Sequence, residues 1–330
     1  MVMSEQDVEQ RAESVAVHRI EFSVDWPPGH VAAYLIDCSE PILFDAGMAG
    51  EDGREELETG LAEHDYAIAD IEHLVVTHPH IDHIGQVPAI FEAADPDVYA
   101  PAGVETRFQR NPDDLAVTVE RNGKAAGLRG EYLENAVEMS VDSLERDGSH
   151  LAPKFVDQWV AGGERVDIGP LSFETTHTPG HQADHLVFLT EFDGERQLFS
   201  GDMALGTFRP VALHTGFDTG YEEAIDAYYT ALDRMSNLVV DRVYPGHGPV
   251  HTDFQEAISD DTESLDHLLE RTSEILDDNG KTAVDVAFQR KGDRDIRYLV
   301  IETTSALAKL DHDGDAESTL DDGIRRFTKA

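Results

Sequence analysis

The sequence predicts a layered α/β protein, and three observations carry that prediction. Short β-branched and aromatic runs alternate with amphipathic helical stretches. The apolar run Leu74-Val75-Val76 ends abruptly in Thr77-His78-Pro79-His80-Ile81-Asp82-His83. Ala224, Ile225, Tyr228, Ala231, Leu232 and Met235 recur at helical spacing. Mixing the two periods along one chain is the pattern of sheets covered by helices. A buried strand that ends in polar side chains delivers them to a crevice at its tip, the usual place for sites in such folds.

Taken in order, segments 20–24, 31–37 and 41–44 read as an N-terminal strand meander, followed by a helix near 52–63 and a strand at 71–76. A helix at 86–92 and a strand at 98–100 come next. Segment 103–163 shows no strong strand pattern but has helical stretches such as 128–144. Strands near 165–168, 171–176, 186–189 and 197–199 continue the fold, then the helix 221–235 and a strand at 239–244. At 330 residues with 40% hydrophobic side chains, the chain can bury one large core and one small one.

The cluster behind Val76 has metal-ligand spacing. His78 and His80, two apart, can reach one ion from an extended loop, while Asp82 and His83 turn towards a second. An isolated histidine pair is ordinarily a surface loop, but three further strand-like runs end in potential ligands beside glycines. Segment 171–176 leads into His177-Thr178-Pro179-Gly180-His181, 197–200 into Gly201-Asp202, and 239–244 into Pro245-Gly246-His247-Gly248. This ordered series, over residues 17–252, resembles the metallo-β-lactamase fold superfamily, the glyoxalase II-like hydrolases especially.

The resemblance implies a four-layer αββα sandwich with two facing sheets. It implies that His78, His80 and His181 bind one metal, that Asp82, His83 and His247 bind another, and that Asp202 bridges the two. Asp82 and Asp202 would thereby be catalytic as well as ligating. Imidazole and carboxylate without thiolate suit zinc, with iron or manganese compatible, and the lone Cys38 is not needed. Two divalent ions would hold a hydroxide, lower its pKa and polarise a carbonyl or phosphoryl oxygen. Asp45, in Leu43-Phe44-Asp45-Ala46-Gly47, resembles the family's aspartate that orients an imidazole from below, against the alternative of a turn aspartate beside glycine. His177 and His185 flank His181; His185 is expected to hydrogen-bond within the fold. His30, His64, His73 and His214 lack ligand spacing and read as structural or surface residues.

Two domains are expected, a hydrolase domain at 1–260 and a C-terminal domain at 261–330, with 103–163 as a helical insertion. The insertion either places Met139, Phe155 and Trp159 along a substrate pocket or packs peripherally on the core. After residue 260 come an acidic amphipathic helix at 261–278, helices at 282–289 and 296–310, a turn at 311–315 and a short strand at 324–327. This resembles the winged-helix tail of a subgroup that includes thioesterases and single-strand ribonucleases. Nucleic-acid grip needs clustered basic residues, and here only Arg290, Lys291, Arg294, Arg297, Arg325 and Arg326 offer them, so the tail reads as a cover for one edge or a surface for homo-oligomer formation.

The chain has 67 acidic against 25 basic side chains, a formal net charge of −42, spread along its whole length. Dispersed acidity with only six lysines points to a halophilic protein in a salt-rich cytoplasm, where screening removes the self-repulsion. The acidic segment 1–13 lacks the basic and apolar regions of a signal peptide, and no apolar stretch is long enough to cross a membrane. One cysteine excludes an internal disulfide framework. The leading expectation is a metal-dependent hydrolase of a small-molecule thioester or ester. A lactonase is close behind, then a metal-dependent single-strand ribonuclease, then a non-hydrolytic iron protein. The tail does not reproduce the basic region with which glyoxalase II recognises glutathione, so the thiol carrier stays open.

Overall fold

The structure is a computed structural model that describes residues 15–292 and 296–330, apart from the side chain of Arg297. The acidic segment 1–13 and Arg294 lie outside the described residues. The first sheet runs β1 (Ala16–Ser23), β2 (His30–Asp37), β3 (Ile42–Phe44), β4 (His73–Val75), β5 (Asp97–Pro101) and β6 (Gln158–Val160) in sequential order. Its first two pairings are antiparallel and the next three parallel. The second sheet contains β7 (Arg165–Ile168), β8 (Leu171–His177), β9 (Leu186–Phe192), β10 (Glu195–Gly201) and β11 (Arg242–Pro245). Its strands are antiparallel neighbours except β10 and β11, which pair in parallel.

The two sheets face each other across an aromatic core, and β2 shows how the sequence specifies this. Ala32, Tyr34 and Ile36 point between the sheets, whereas Val31, Ala33 and Leu35 point to the outer helices. A strand covered on both faces is apolar at every position, which is why 31–36 reads as a continuous run. Between the sheets, Phe44 stacks on Phe199 at 4.1 Å and Phe199 on Tyr244 at 4.9 Å between ring centroids.

Outside the first sheet lie α1 (Glu51–Ala62), α2 (Ile81–Ile84), α3 (Val87–Ala94) and α4 (Ala102–Phe108). Leu57, Leu61, Val87, Ile90 and Val104 of these helices pack under the outward residues of β1 to β5. Outside the second sheet, α7 (Ala224–Ser236) and α8 (Phe254–Ile275) cover Val187, Leu189, Leu198 and Val243. The result is the expected helix–sheet–sheet–helix order.

The insertion contributes α5 (Pro112–Ala126) and α6 (Glu131–His150), then returns to the first sheet as edge strand β6. Phe155 and Trp159 pack against the core of the first sheet. The C-terminal part contains α9 (Ala283–Arg290), α10 (Ile296–Asp313) and a hairpin of β12 (Ala316–Asp321) and β13 (Ile324–Lys329). Leu115, Val119, Ala126 and Leu128 of the insertion share one core with Ala283, Val286, Leu299, Leu307 and Phe327 of the tail. Insertion and tail therefore form one lobe. The division expected at residue 260 falls inside α8, which is continuous from Phe254 to Ile275.

Four expectations differ in detail. The strand at 239–244 starts only at Arg242, because 238–241 is irregular chain following the turn that ends α7 and Val239 is exposed. β12 escapes the sequence because its residues after Ala316 are polar or exposed, and β6 is only three residues long. The turn at 311–315 is shorter than expected, since α10 continues to Asp313. Among the described residues, no helix is long and apolar enough to cross a membrane.

Candidate metal centre

Strand direction gathers the histidines and aspartates. β3 and β4 are parallel in one sheet, and β8, β10 and β11 run in a common direction in the other. Their C-terminal tips meet at one end of the sandwich. The tip of β3 supplies Asp45; the loop after β4 supplies His78 and His80, and α2 supplies Asp82 and His83. The loop after β8 supplies His181, the end of β10 Asp202, and the loop after β11 His247.

Two donor groups form at these tips, and a third, Glu40, Glu72 and His73, lies apart from them. In the first, His78, His80, His181 and Asp202 each offer a ligand atom within 4.8 Å of the others, and in the second Asp82, His83 and His247 do so. His80 Nδ1 lies 3.0 Å from His78 Nε2 and 3.1 Å from His181 Nε2. His247 Nε2 lies 3.4 Å from Asp82 Oδ2. Asp202 sits between the groups: its Oδ2 is 3.2 Å from His181 Nε2 and 3.5 Å from His247 Nε2, and its Oδ1 is 3.3 Å from His83 Nε2. All seven side chains expected from the sequence are thus brought together.

Four of the five imidazoles are aimed by their Nδ1, whereas His80 turns its own Nδ1 into the cluster. His83 Nδ1 donates to Asp45 Oδ2 at 2.9 Å, His181 Nδ1 to the Val211 carbonyl at 2.9 Å, and His247 Nδ1 to the His30 carbonyl at 2.6 Å. The Thr77 hydroxyl donates to Asp45 at 2.9 Å, so it accepts from His78 Nδ1 at 3.0 Å. These bonds fix Nδ1–H tautomers and leave four Nε2 lone pairs directed inward. Asp45 adopts a left-handed φ of 59° to reach both partners, a conformation uncommon outside glycine. His185 is turned within the fold, with Nδ1 at 2.7 Å from Thr178 Oγ1 and Nε2 accepting from the Asp202 backbone at 3.0 Å.

The electrostatics match a cation site. Burial, with His83 and His80 nearby, holds His78 well below the usual imidazole range; burial and His181 push His80 down to about 3. Burial also opposes charge on His83 and His247, yet the Asp202 carboxylate overcomes it in both, holding His83 well above its ordinary value and His247 at about 10. Asp202 is pushed up by burial but held well below the carboxylate range by His247 and His83. Protons on the second group supply positive charge that a metal ion supplies when it binds and displaces them. His83 Nε2 and Asp202 Oδ1 are buried without hydrogen-bond partners, which is what unused ligand atoms look like. No side chain larger than hydrogen fits at Gly246, where a Cβ would stand 2.6 Å from both Asp202 Oδ1 and His83 Cε1. The donor set fits one or two divalent ions.

Other histidines stay outside. His73 is buried beside Glu40, with 3.2 Å between Nε2 and Oε2, on the opposite end of β4 from the cluster. Cys38 is buried, and burial raises its thiol to about 11. The sequence did not single out Thr77, nor the His30 and Val211 carbonyls; only Thr77, inside the motif, carried any signal of its role.

A four-layer sandwich with a buried His/Asp crevice at its strand tips defines the class of metallo-hydrolases. The chain belongs to the metallo-beta-lactamase superfamily, whose family model matches residues 26–247. It is similar to the Beta-lactamase-like protein 2 homolog of Caenorhabditis elegans, 28% identical over 207 residues, which are 62% of this chain and 51% of that one; the match thus spans about half the relative's length. It is also similar to the atrochrysone carboxyl ACP thioesterase dmxR1 of Cryptosporiopsis sp., 22% identical over 88% of this chain and 76% of that one. Among solved structures, the metallo-beta-lactamase family protein TTHA1429 of Thermus thermophilus superposes with a TM-score of 0.78 at 23% identity, covering 95% of this chain and 98% of that one.

Proposed function

We propose that the protein is a dinuclear metal-dependent hydrolase of a small thioester or ester, with zinc as its resident metal. The observation that carries this reading is the position of Asp202, one carboxylate within 3.5 Å of imidazoles from both donor groups. His78, His80 and His181 would hold one ion, Asp82, His83 and His247 the other, with Asp202 shared. Two divalent ions supply Lewis acidity and bring the pKa of water towards neutrality. The protein's part is to hold the donors rigid through Asp45, Thr77 and the two carbonyls. Two carboxylates offset only part of the charge of two divalent ions, so the crevice favours a neutral or anionic substrate.

The thioesterase name of one relative supports the thioester class, and lactone opening is the same carbonyl chemistry. The ribonuclease reading is weakened by the tail's basic residues. Arg290 lies 3.5 Å from the buried Glu302, and Arg325 pairs with Glu222 at 2.8 Å. The acid-rich, nearly thiol-free composition supports a salt-rich cytoplasm as the setting.

The test is metal analysis of protein purified in molar salt, followed by assays on thioesters, lactones, phosphodiesters and single-stranded RNA. Close to two ions per chain and thioester or ester turnover are expected. RNA turnover with every ester inert transfers the assignment to a nuclease, and a metal content near zero removes the metal centre.

A further inference from the structure

The C-terminal lobe reaches the metal centre at one point. Helix α10 lies between two cores, with Ala306 facing the second sheet's helices and Leu299, Val300, Leu307 and Leu310 facing the insertion. Between those faces it buries a charged side chain, Glu302, 3% exposed. Glu302 Oε1 accepts from Arg209 Nη2 at 2.8 Å and from the Ala212 backbone N–H at 3.2 Å, while Oε2 lies 3.5 Å from Arg290 Nη2. Arg209 also donates to the Pro210 carbonyl at 2.7 Å.

The residue enclosed by this clamp is Val211, whose carbonyl accepts the His181 Nδ1–H at 2.9 Å. The backbone N–H groups of Leu213 and His214 return to the His181 carbonyl at 3.2 and 2.8 Å. Segment 209–213 belongs to no helix or strand, so no regular ladder sets its path. A buried carboxylate with charge-assisted bonds to both sides of Val211 does so instead.

We propose that Glu302 is a positioning residue for the metal centre: it fixes 209–212 so that the Val211 carbonyl holds the His181 imidazole and keeps its Nε2 aimed at His80 and Asp202. The proposal rests on the reading of His181 as a metal ligand. It makes the tail part of the site's construction, since Glu302 is supplied from beyond the residues that match the superfamily. A group that bonds a ligand directly, as the Val211 carbonyl does, typically changes metal affinity by about 10- to 100-fold, and Glu302 acts on the ligand through that carbonyl.

The test compares full-length Glu302→Ala with wild type and with Asn122→Ala, which breaks a 2.8 Å bond to the Phe217 carbonyl in the same lobe. In metal-stripped protein at molar salt, NMR follows solvent exchange of the His181 imidazole Nδ1–H; zinc titration against a chelator follows affinity. Glu302→Ala is expected to lose that protection and to weaken one of two zinc ions by up to about 10-fold. Asn122→Ala should melt lower but keep both properties. Glu302→Gln, which retains an acceptor for Ala212, should fall between wild type and Glu302→Ala. Should Glu302→Ala fail to fold, Arg209→Met breaks the same clamp from the loop side while Arg290 still faces Glu302. A folded clamp variant that retains wild-type protection of the His181 Nδ1–H overturns the proposal. If wild type binds no zinc, the hydrolase reading falls and the effect on metal affinity falls with it, while the exchange measurement still decides whether Glu302 positions His181.

Discussion

Asp202 is the side chain whose loss should separate the candidate site from the fold. It lies at a strand tip, not in the apolar core, and its carboxylate faces both donor groups. Asp202→Ala and His181→Ala are each expected to abolish turnover and lower the metal content below two ions per chain, with the circular dichroism spectrum unchanged. His73→Ala should leave the metal content at the wild-type value. An Asp202→Ala protein with both ions and wild-type rate would remove Asp202 from the site. A second residue-scale prediction concerns Asp261, 4% exposed, whose Oδ2 has no hydrogen-bond partner. Burial raises its carboxyl to about 7, although the Arg209 guanidinium pulls the other way. The folded state therefore binds the proton more tightly than the unfolded state. The stability that Asp261 contributes is fully present below the unfolded carboxylate pKa near 4 and is lost as pH rises through about 7, a change of as much as a few kcal/mol. Asp261→Asn should melt closer to pH-independently between pH 5.5 and 8 than wild type does; equal slopes for the two proteins would show that Asp261 does not carry the effect. At this scale the ligand candidates were legible because spacing and chain order are sequence properties. The Val211 and His30 carbonyls were not, because a backbone acceptor has no residue type.

At the scale of elements, legibility followed burial pattern. β2 is apolar at consecutive positions because both faces are covered, and α7 repeats apolar residues at helical spacing because one face is; both were readable. β12 exposes four of its six residues and is mostly polar, so nothing in its composition distinguished it from a loop. The division at 260 rested on an acidic amphipathic helix read from 261 and on a tail that resembles a winged helix, and neither reports what the inner face of that helix packs on. Phe254, Ala257 and Ile258 before that point share a core with Leu265 and Leu268 after it, all against α7. A chain ending at residue 260 would therefore cut α8 and open that core, where each deleted leucine alone is worth about 2–5 kcal/mol. Such a chain is expected to lose near-ultraviolet circular dichroism and cooperative melting in molar potassium chloride. A cooperative melt within a few degrees of wild type would establish that the tail is an independent unit.

The whole molecule carries a net charge of −42, and the structure shows where the excess sits. Helix α8 presents Glu256, Asp260, Glu263, Asp266 and Glu270 on its exposed side, and α1 presents Glu51, Asp52, Glu55 and Glu58. Neighbours of like sign at three- and four-residue spacing oppose the helix that carries them. Much of the positive charge is already committed: Arg54 pairs with Glu58, Arg196 with Glu174, Arg242 with Glu195 and Arg325 with Glu222. Adding salt consequently screens far more repulsion than attraction. Each exposed pair matters little, but the repulsion sums over the surface, and screening shortens from about 10 Å at 0.1 M to about 3 Å at 1 M. We predict that the melting temperature rises steeply in potassium chloride between roughly 0.1 M and 3 M, with most of the gain in the lower half of that range, where the screening length changes fastest. Metal content should be measured alongside, since loss of ions at low salt would lower stability by a separate route. A flat series with constant metal content would sink the halophile reading and leave the acidic surface to be explained by a partner.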